Sequence, residues 1–339
     1  GIRDVAVTGV QTCALPISIN RGKESIALDL KAPADRAVFE RLLSIGDVLV
    51  ENYRGGTMEK LGYGWEALHP RFPRLVYAAA SGFGHSGPYR TRAAYDMVVQ
   101  GMGGIMSLTG HPGSPPTRVG TSVGDITAGL FTAIGINAAL FERERTGLGR
   151  KVDVAMLDCQ VAILENAISR YTVEGVVPAP IGSRHPFIAP FAALRTGDGR
   201  LVVAVGTDAF FVDLCGVLGV PELADDPRFA THPGRIEHTD VLYDIIERVA
   251  PNFTTQVWME FCDQAQIPAM PANDLADMWD DPQLKATGVL GYADHPSEGR
   301  YRTIGSPVQF SATPTAITRH APRVRSEEHT SELQSRLHL

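Results

Sequence analysis

The regular alternation of strand-like and helix-like runs between residues 25 and 158 restricts this chain more tightly than any other feature of its sequence. Residues 25–30 (SIALDL), 47–51 (DVLVE) and 75–80 (LVYAAA) read as strands, and residues 34–45, 59–68, 97–108 and 125–144 carry apolar side chains at helical spacing. A Gly-rich turn at 146–149 then opens a further strand with Val152, Val154 and Met156 on one side, and residues 159–168 return to helical spacing. Strands separated by helices in this way predict an α/β fold, a parallel sheet with helices on both faces. The pattern starts at a strand, so the sheet is expected to lack its first βα units.

The second half reads differently. Residues 192–194 and 201–205 flank the turn RTGDGR as an antiparallel hairpin. Helical stretches follow at about 210–219, 239–250 and 255–265, and Pro268, Pro271, Pro282, Pro296 and Pro307 punctuate the remainder. The division expected is a large α/β domain over 19–189, a smaller α+β domain over 190–300, and a return to the large domain over 301–324.

The two ends read as something else. Residues 325–335 (RSEEHTSELQS) and 10–17 (VQTCALPI) can be encoded by opposite strands of one DNA duplex in shifted frames. Unrelated protein segments have no reason to share a duplex, so 1–18 and 325–339 are expected to be translated adapter-like DNA. The protein itself is then expected to run from residue 19 to 324, truncated at both ends.

Composition narrows the function classes. A net charge of -7 without a basic stripe argues against nucleic acid as a partner. With Cys13 in the adapter-like segment, Cys159, Cys215 and Cys262 remain; they have neither metal spacing nor a disulfide framework, which fits a reducing cytoplasm. No apolar run is expected to reach the length that spans a bilayer.

Asp158 is the candidate catalytic residue. It stands where a strand gives way to a helix, at the carboxyl end of the sheet, where open α/β folds place their ligands. Helix amides there hold a carboxylate ionised and oriented. Spacing alone leaves two readings open, a helix N-cap and a nucleophile. Asp125 reads as the N-cap of the long helix, and Asp153 as structural because it faces away from Val152 and Val154.

Six motifs carry a family resemblance, in order: NRGKESIALDLK (20–31), VLVENYRGGTMEKLG (48–62), SGFGHSGPYR (81–90), AAYDMVVQGMGG (93–104), GLGRKVDVAMLD (147–158) and SRHPFIAPF (183–191). Together they resemble the class III CoA-transferases, the family of carnitine CoA-transferase, the bile-acid-inducible proteins, formyl-CoA transferase and 2-methylacyl-CoA racemase. The resemblance spans essentially all of 19–324. It implies a Rossmann-like large domain with a small domain, and an interlocked homodimer with active sites at the interface. The substrates implied are coenzyme A, as an acyl-CoA, and a small carboxylic acid, with no tightly bound cofactor and no metal.

Carried over by residue, Asp158 matches the family's catalytic aspartate, which forms a mixed anhydride and then an aspartyl-CoA thioester. Leu28, Asp29, Leu30 and Lys31 match a segment lining the nucleotide, and Asn52, Tyr53, Arg54 and Lys60 match CoA contacts. Ala93, Ala94, Tyr95 and Asp96 match the stretch beside the thioester; read by itself, Asp96 is a helix N-cap and Tyr95 a packed ring. Ala93 stands where a formyl-CoA transferase has lysine, which argues against that substrate. Gly82 and Gly84 would let backbone amides approach a developing oxyanion. Gly182, Ser183, Arg184 and His185 form a loop that in the family approaches the site; Arg184 is either a surface charge or a clamp for the acceptor carboxylate.

The racemase subgroup uses a histidine upstream of the aspartate as a proton shuttle. No histidine lies between His111 and His185, and the region of Ala128 holds only small residues. Transferase is therefore the first reading, racemase the second, and a non-catalytic CoA-binding fragment the third.

Overall fold

The computed structural model describes residues 19–296, 299–316 and 318–321. The adapter-like segments 1–18 and 325–339 lie outside the described residues, as do residues 322–324. The described residues divide into two compact units, one of residues 46–272 and one drawn from the described parts of 1–45 and 273–339.

In chain order, α1 spans Pro33–Ile45. Proline suits a first helical turn, where its missing N–H would have had no intrahelical partner. Residues 25–30, expected as a strand, are not one. Asp29 instead accepts the Lys31 amide at 3.0 Å, and its own amide donates to Asp35 at 2.7 Å, making a turn into α1. A β pattern becomes a strand only when a neighbour completes the ladder, and none does so among the described residues.

Strands β1 (Val48–Glu51), β2 (Val76–Ser81) and β3 (Lys151–Ala155) form a parallel sheet in that order. Central β2 buries Val76, Tyr77, Ala78 and Ala79 in succession, as a strand covered on both faces requires. The helix expected over 59–68 is two, α2 (Thr57–Leu61) and α3 (Trp65–Leu68), because Gly62 at φ 82° ends the first. Helix α4 (Asp96–Met102) gives way to a 3-10 turn at Ile105–Ser107. Helix α5 (Val123–Thr146) lies along β2 and β3. A Cβ on its Gly135 would stand 2.6 Å from Val152 Cγ1, so glycine sets that close approach. Asp125 lies within the first turn of α5, and the N-cap expected of it is Ser122. Helices α6 (Met156–Ala162) and α7 (Glu165–Ser169) follow β3.

Helix α5 also corrects the expectation about bilayer length. It is the one helix among the described residues long and apolar enough to cross a membrane by length and composition. Its charges, Asp125 and Glu142 to Arg145, gather at the two ends and leave an apolar middle.

The later part of the 46–272 unit holds β4 (Phe191–Arg195), β5 (Arg200–Ala204) and β6 (Ala269–Pro271) as an antiparallel sheet in that order. Pro271 sits on an edge strand, where a missing donor is tolerated. Helices α8 (Asp208–Leu218), α9 (Glu222–Asp225), α10 (His232–Glu237), α11 (Thr239–Val249) and α12 (Thr255–Gln264) accompany it. Leu201, Val203, Phe211, Leu214, Leu242, Ile246 and Trp258 bury together as one core. In the other unit, α13 (Pro282–Thr287) precedes the hairpin of β7 (Leu290–His295) and β8 (Gly299–Ile304).

Candidate active site

The carboxyl ends of β1, β2 and β3 carry the site. Strand β3 runs directly into α6, whose cap position is Ala155 and makes no side-chain cap bond. Asp158 is therefore the third residue of the helix and not its N-cap. It is exposed and lies in the first turn, where the helix dipole favours a negative charge. Neighbouring Cys159 is buried; burial, and then the charge of Asp158, push its thiol up. The carboxylate is thus the accessible acidic group of this turn, and the thiol is held protonated.

The Gly-rich loop 81–89 is tied to that turn. The Leu157 amide donates to the Gly82 carbonyl at 3.1 Å, one residue before Asp158. A Cβ on Gly82 would stand 2.3 Å from the Ala94 Cβ, so glycine alone lets the loop lie against the stretch leading to Tyr95. The His85 amide donates to both oxygens of Asp153, at 3.2 and 3.1 Å, which gives Asp153 its structural role.

Asn52 Nδ2 donates to the Ala80 carbonyl, joining the end of β1 to the end of β2. The Tyr53 amide donates to Glu51 Oε2 at 2.7 Å, and its ring is half exposed. The Arg54 carbonyl accepts from the Thr57 amide at 3.1 Å at the entry to α2, and Lys60 is exposed on that helix. Ala93 is exposed, and Tyr95, at the cap position of α4, is 81% exposed rather than packed. Asp96 is the first residue of α4; its carboxylate accepts from the Gly124 amide at 2.8 Å and from Gln100 Nε2 at 2.7 Å. It caps the start of α5 instead of its own helix, because the two helices meet there. Leu28 to Lys31 belong to the other unit, where Lys31 is exposed.

The 182–185 loop is fastened by contacts to Asp240, Tyr243, Ala193, Phe191 and Gly110. Arg184 Nη1 pairs with Asp240 at 2.6 Å and its guanidinium lies 4.4 Å from the Tyr243 ring centroid. Ser183 Oγ accepts from the Ala193 amide at 3.2 Å, and the His185 ring stacks on Phe191 at 5.0 Å. The Gly182 amide donates to the Gly110 carbonyl at 2.9 Å.

One cluster escaped the sequence reading. Glu51 is buried at the end of β1, accepts from Tyr77 Oη at 3.2 Å, and lies 3.2 Å from His85 Nε2. The signal was available: a carboxylate closing an otherwise apolar strand, and a histidine within the Gly-rich loop.

This arrangement, a parallel sheet whose strand ends carry a Gly-rich loop and a helix-borne carboxylate, is an α/β fold with a candidate site where such folds place their ligands. The same architecture occurs in a CAIB/BAIF family protein from Brucella suis, at a TM-score of 0.84 and 36% identity over 96% of this chain and 84% of that one. The description of CoA-transferase family III matches residues 3–330, and the chain belongs to that family of CoA-transferases. It is 42% identical to an acetyl-CoA:oxalate CoA-transferase of Acetobacter aceti, over 86% of this chain and 74% of that protein. It is 36% identical to a succinate–glutarate CoA-transferase of Agrobacterium fabrum, over 94% and 79%.

Proposed function

We propose that the chain moves coenzyme A from an acyl-CoA donor to a small carboxylic acid through covalent intermediates on Asp158. The observation that carries this is the position of Asp158, an exposed carboxylate in the first turn of α6 at the carboxyl end of β3. The Asp158 carboxylate attacks the thioester carbonyl, forming a mixed anhydride and releasing CoA thiolate. The thiolate attacks the aspartyl carbonyl, expelling the donor acid and leaving an aspartyl-CoA thioester. The acceptor carboxylate attacks that thioester, and the freed thiolate then takes the acceptor's acyl group, restoring Asp158. Splitting the exchange in this way replaces one high barrier with several lower ones. Water must be kept out while the anhydride exists.

The relatives named above act on oxalate, succinate and glutarate, so short dicarboxylic acids are the acceptors to assay first. Asn52, Tyr53, Arg54, Lys60 and residues 93–96 are the proposed CoA contacts in the 46–272 unit. The three free cysteines among the described residues are buried, which supports a cytoplasmic setting. A homodimer is supported by Ile126, Leu130, Ile134 and Phe141, which stand exposed on α5 and need an apolar partner.

Incubation with acetyl- or succinyl-CoA and hydroxylamine, followed by peptide mass spectrometry, should find a hydroxamate at Asp158. No adduct, together with α-proton exchange into deuterated buffer, would establish the racemase reading instead. Neither signal, with retained CoA binding, would leave a CoA-binding fragment.

A further inference from the structure

The buried group Glu51–Tyr77–His85 has no part in the chemistry just described. The side chains of His85 and Glu51 are only 6% and 3% exposed, and His85 Nε2 lies 3.2 Å from Glu51 Oε1. The contact is an ion pair not aligned as a hydrogen bond, and His85 Nδ1 is buried without a hydrogen-bond partner among the described residues. Glu51 is held from two other sides, by the Tyr53 amide and the Tyr77 hydroxyl. Such a pair holds its elements together only while both charges exist; a neutral imidazole there leaves a buried carboxylate short of its counter-charge.

We propose that Glu51 and His85 are positioning residues: their ion pair clips the 81–89 loop to the end of β1 and, through Gly82, fixes the first turn that carries Asp158. The path runs from Glu51 to His85, along the loop to Gly82, and from the Gly82 carbonyl to the Leu157 amide. Protonated His85 closes the clip and neutral His85 loosens it. The charged groups acting on the imidazole are Glu51 from β1 and Lys151 and Asp153 from β3, while Tyr77 from β2 binds Glu51. The Glu51 carboxylate raises the His85 value from its ordinary 6.5, against burial, and Asp153 helps while Lys151 opposes. The link to catalysis rests on Asp158 acting as proposed above, but the clip itself is testable without turnover.

The test follows the His85 imidazole by NMR and backbone amide exchange by mass spectrometry, in the full chain across pH. The His85 midpoint should lie above 6.5 and fall in Glu51→Gln. After correction for intrinsic exchange, the amides of residues 82–85 and of Leu157 should exchange about fivefold faster or more as pH rises through that midpoint, the low end of typical coupling between sites. His85→Gln should exchange fast at every pH. A midpoint unmoved in Glu51→Gln, or a Leu157 amide indifferent to His85 titration, would overturn the proposal. Should either variant fail to fold, the wild-type pH series decides alone. A normal clip with no hydroxamate at Asp158 would count against the transferase chemistry and not against the clip.

Discussion

The two halves of the 46–272 unit bury their apolar surface in different ways. Residues 190–272 close around one core, and even the buried Arg235 is satisfied there. Its guanidinium donates to the Ala189 and Phe229 carbonyls at 2.9 Å each and to Asp208 at 2.7 Å, and it lies 4.6 Å from the Phe211 ring centroid. Residues 46–189 also bury apolar side chains, among them Met58, Leu68, Val76, Tyr77, Val99 and Met156, but leave apolar side chains of α4 and α5 in solvent. A half that completes its own core is a scaffold. A half that leaves contiguous apolar surface and an exposed carboxylate has ligands or partners still to meet.

The sharpest way to test that contrast is to change one residue in each half and compare what is lost. Asp158→Asn should leave stability within about 0.5 kcal/mol, as surface changes usually do, while lowering CoA transfer by at least about 10⁴-fold, in keeping with removal of a nucleophile. Stopped assays with acetyl-CoA and oxalate, beside urea unfolding, would check both. An Asn variant that retains a tenth of the activity would refute the nucleophile. Arg235→Ala should do the reverse and destabilise the chain by about 2–5 kcal/mol, since it leaves the Ala189 and Phe229 carbonyls without their buried donor. Urea unfolding showing less than about 1 kcal/mol would mean that water replaces the guanidinium and that this core is not closed.

The same contrast explains what could be read in advance. The parallel sheet was legible because β2 is apolar up to its closing Ser81, and the β4–β5 hairpin because RTGDGR marks its turn. Residues 25–30 misled because alternation records which side chains face inward, not whether a neighbouring strand exists to pair with. Asp125 misled because the helix begins earlier than it, and Asp96 because the cap goes to whichever amide tertiary packing brings near. For Asp96 that is Gly124, 28 residues away. Glu51 and His85 were hidden because their pairing depends on β1 and the loop after β2 meeting in space. Asp158 was legible because strand, turn and helix are consecutive there.

A smaller effect tests the unfinished surface of the first half. Leu130 and Ile134 are 60% and 63% exposed on α5. If a second copy covers them, each contributes about 1.5–3 kcal/mol on burial. Leu130→Glu with Ile134→Glu should then raise the dimer dissociation constant by roughly a hundredfold or more, with the 190–272 core unaffected. Sedimentation equilibrium would show it. A wild-type chain that is already monomeric at all concentrations would show that a different partner covers α5.

The smallest effect is a dependence of stability on pH that belongs to the first half alone. The His85 value is raised by the Glu51 carboxylate, so its contribution is complete below 6.5 and is lost as pH rises through the folded value. Burial works to raise the Glu51 value, but the His85 contact and the Tyr53 amide outweigh it and the net shift is downward. Its contribution is therefore present above 4.5 and is lost as pH falls through the folded value. The clip should be firmest between those two ordinary values, 4.5 and 6.5, and weaken on either side. Asp226 and its partner Arg228, in the second half, supply a contrast: hydrogen bonds from Arg228 hold that carboxyl at about 2, so this carboxylate stays ionised throughout the window. Amide protection of residues 82–85 should trace a bell between acid and neutral pH, while that of residues 226–230 stays flat. A bell in both places would mean that the whole unit loosens with pH, and the division between a self-sufficient half and an unfinished one would not extend to its electrostatics.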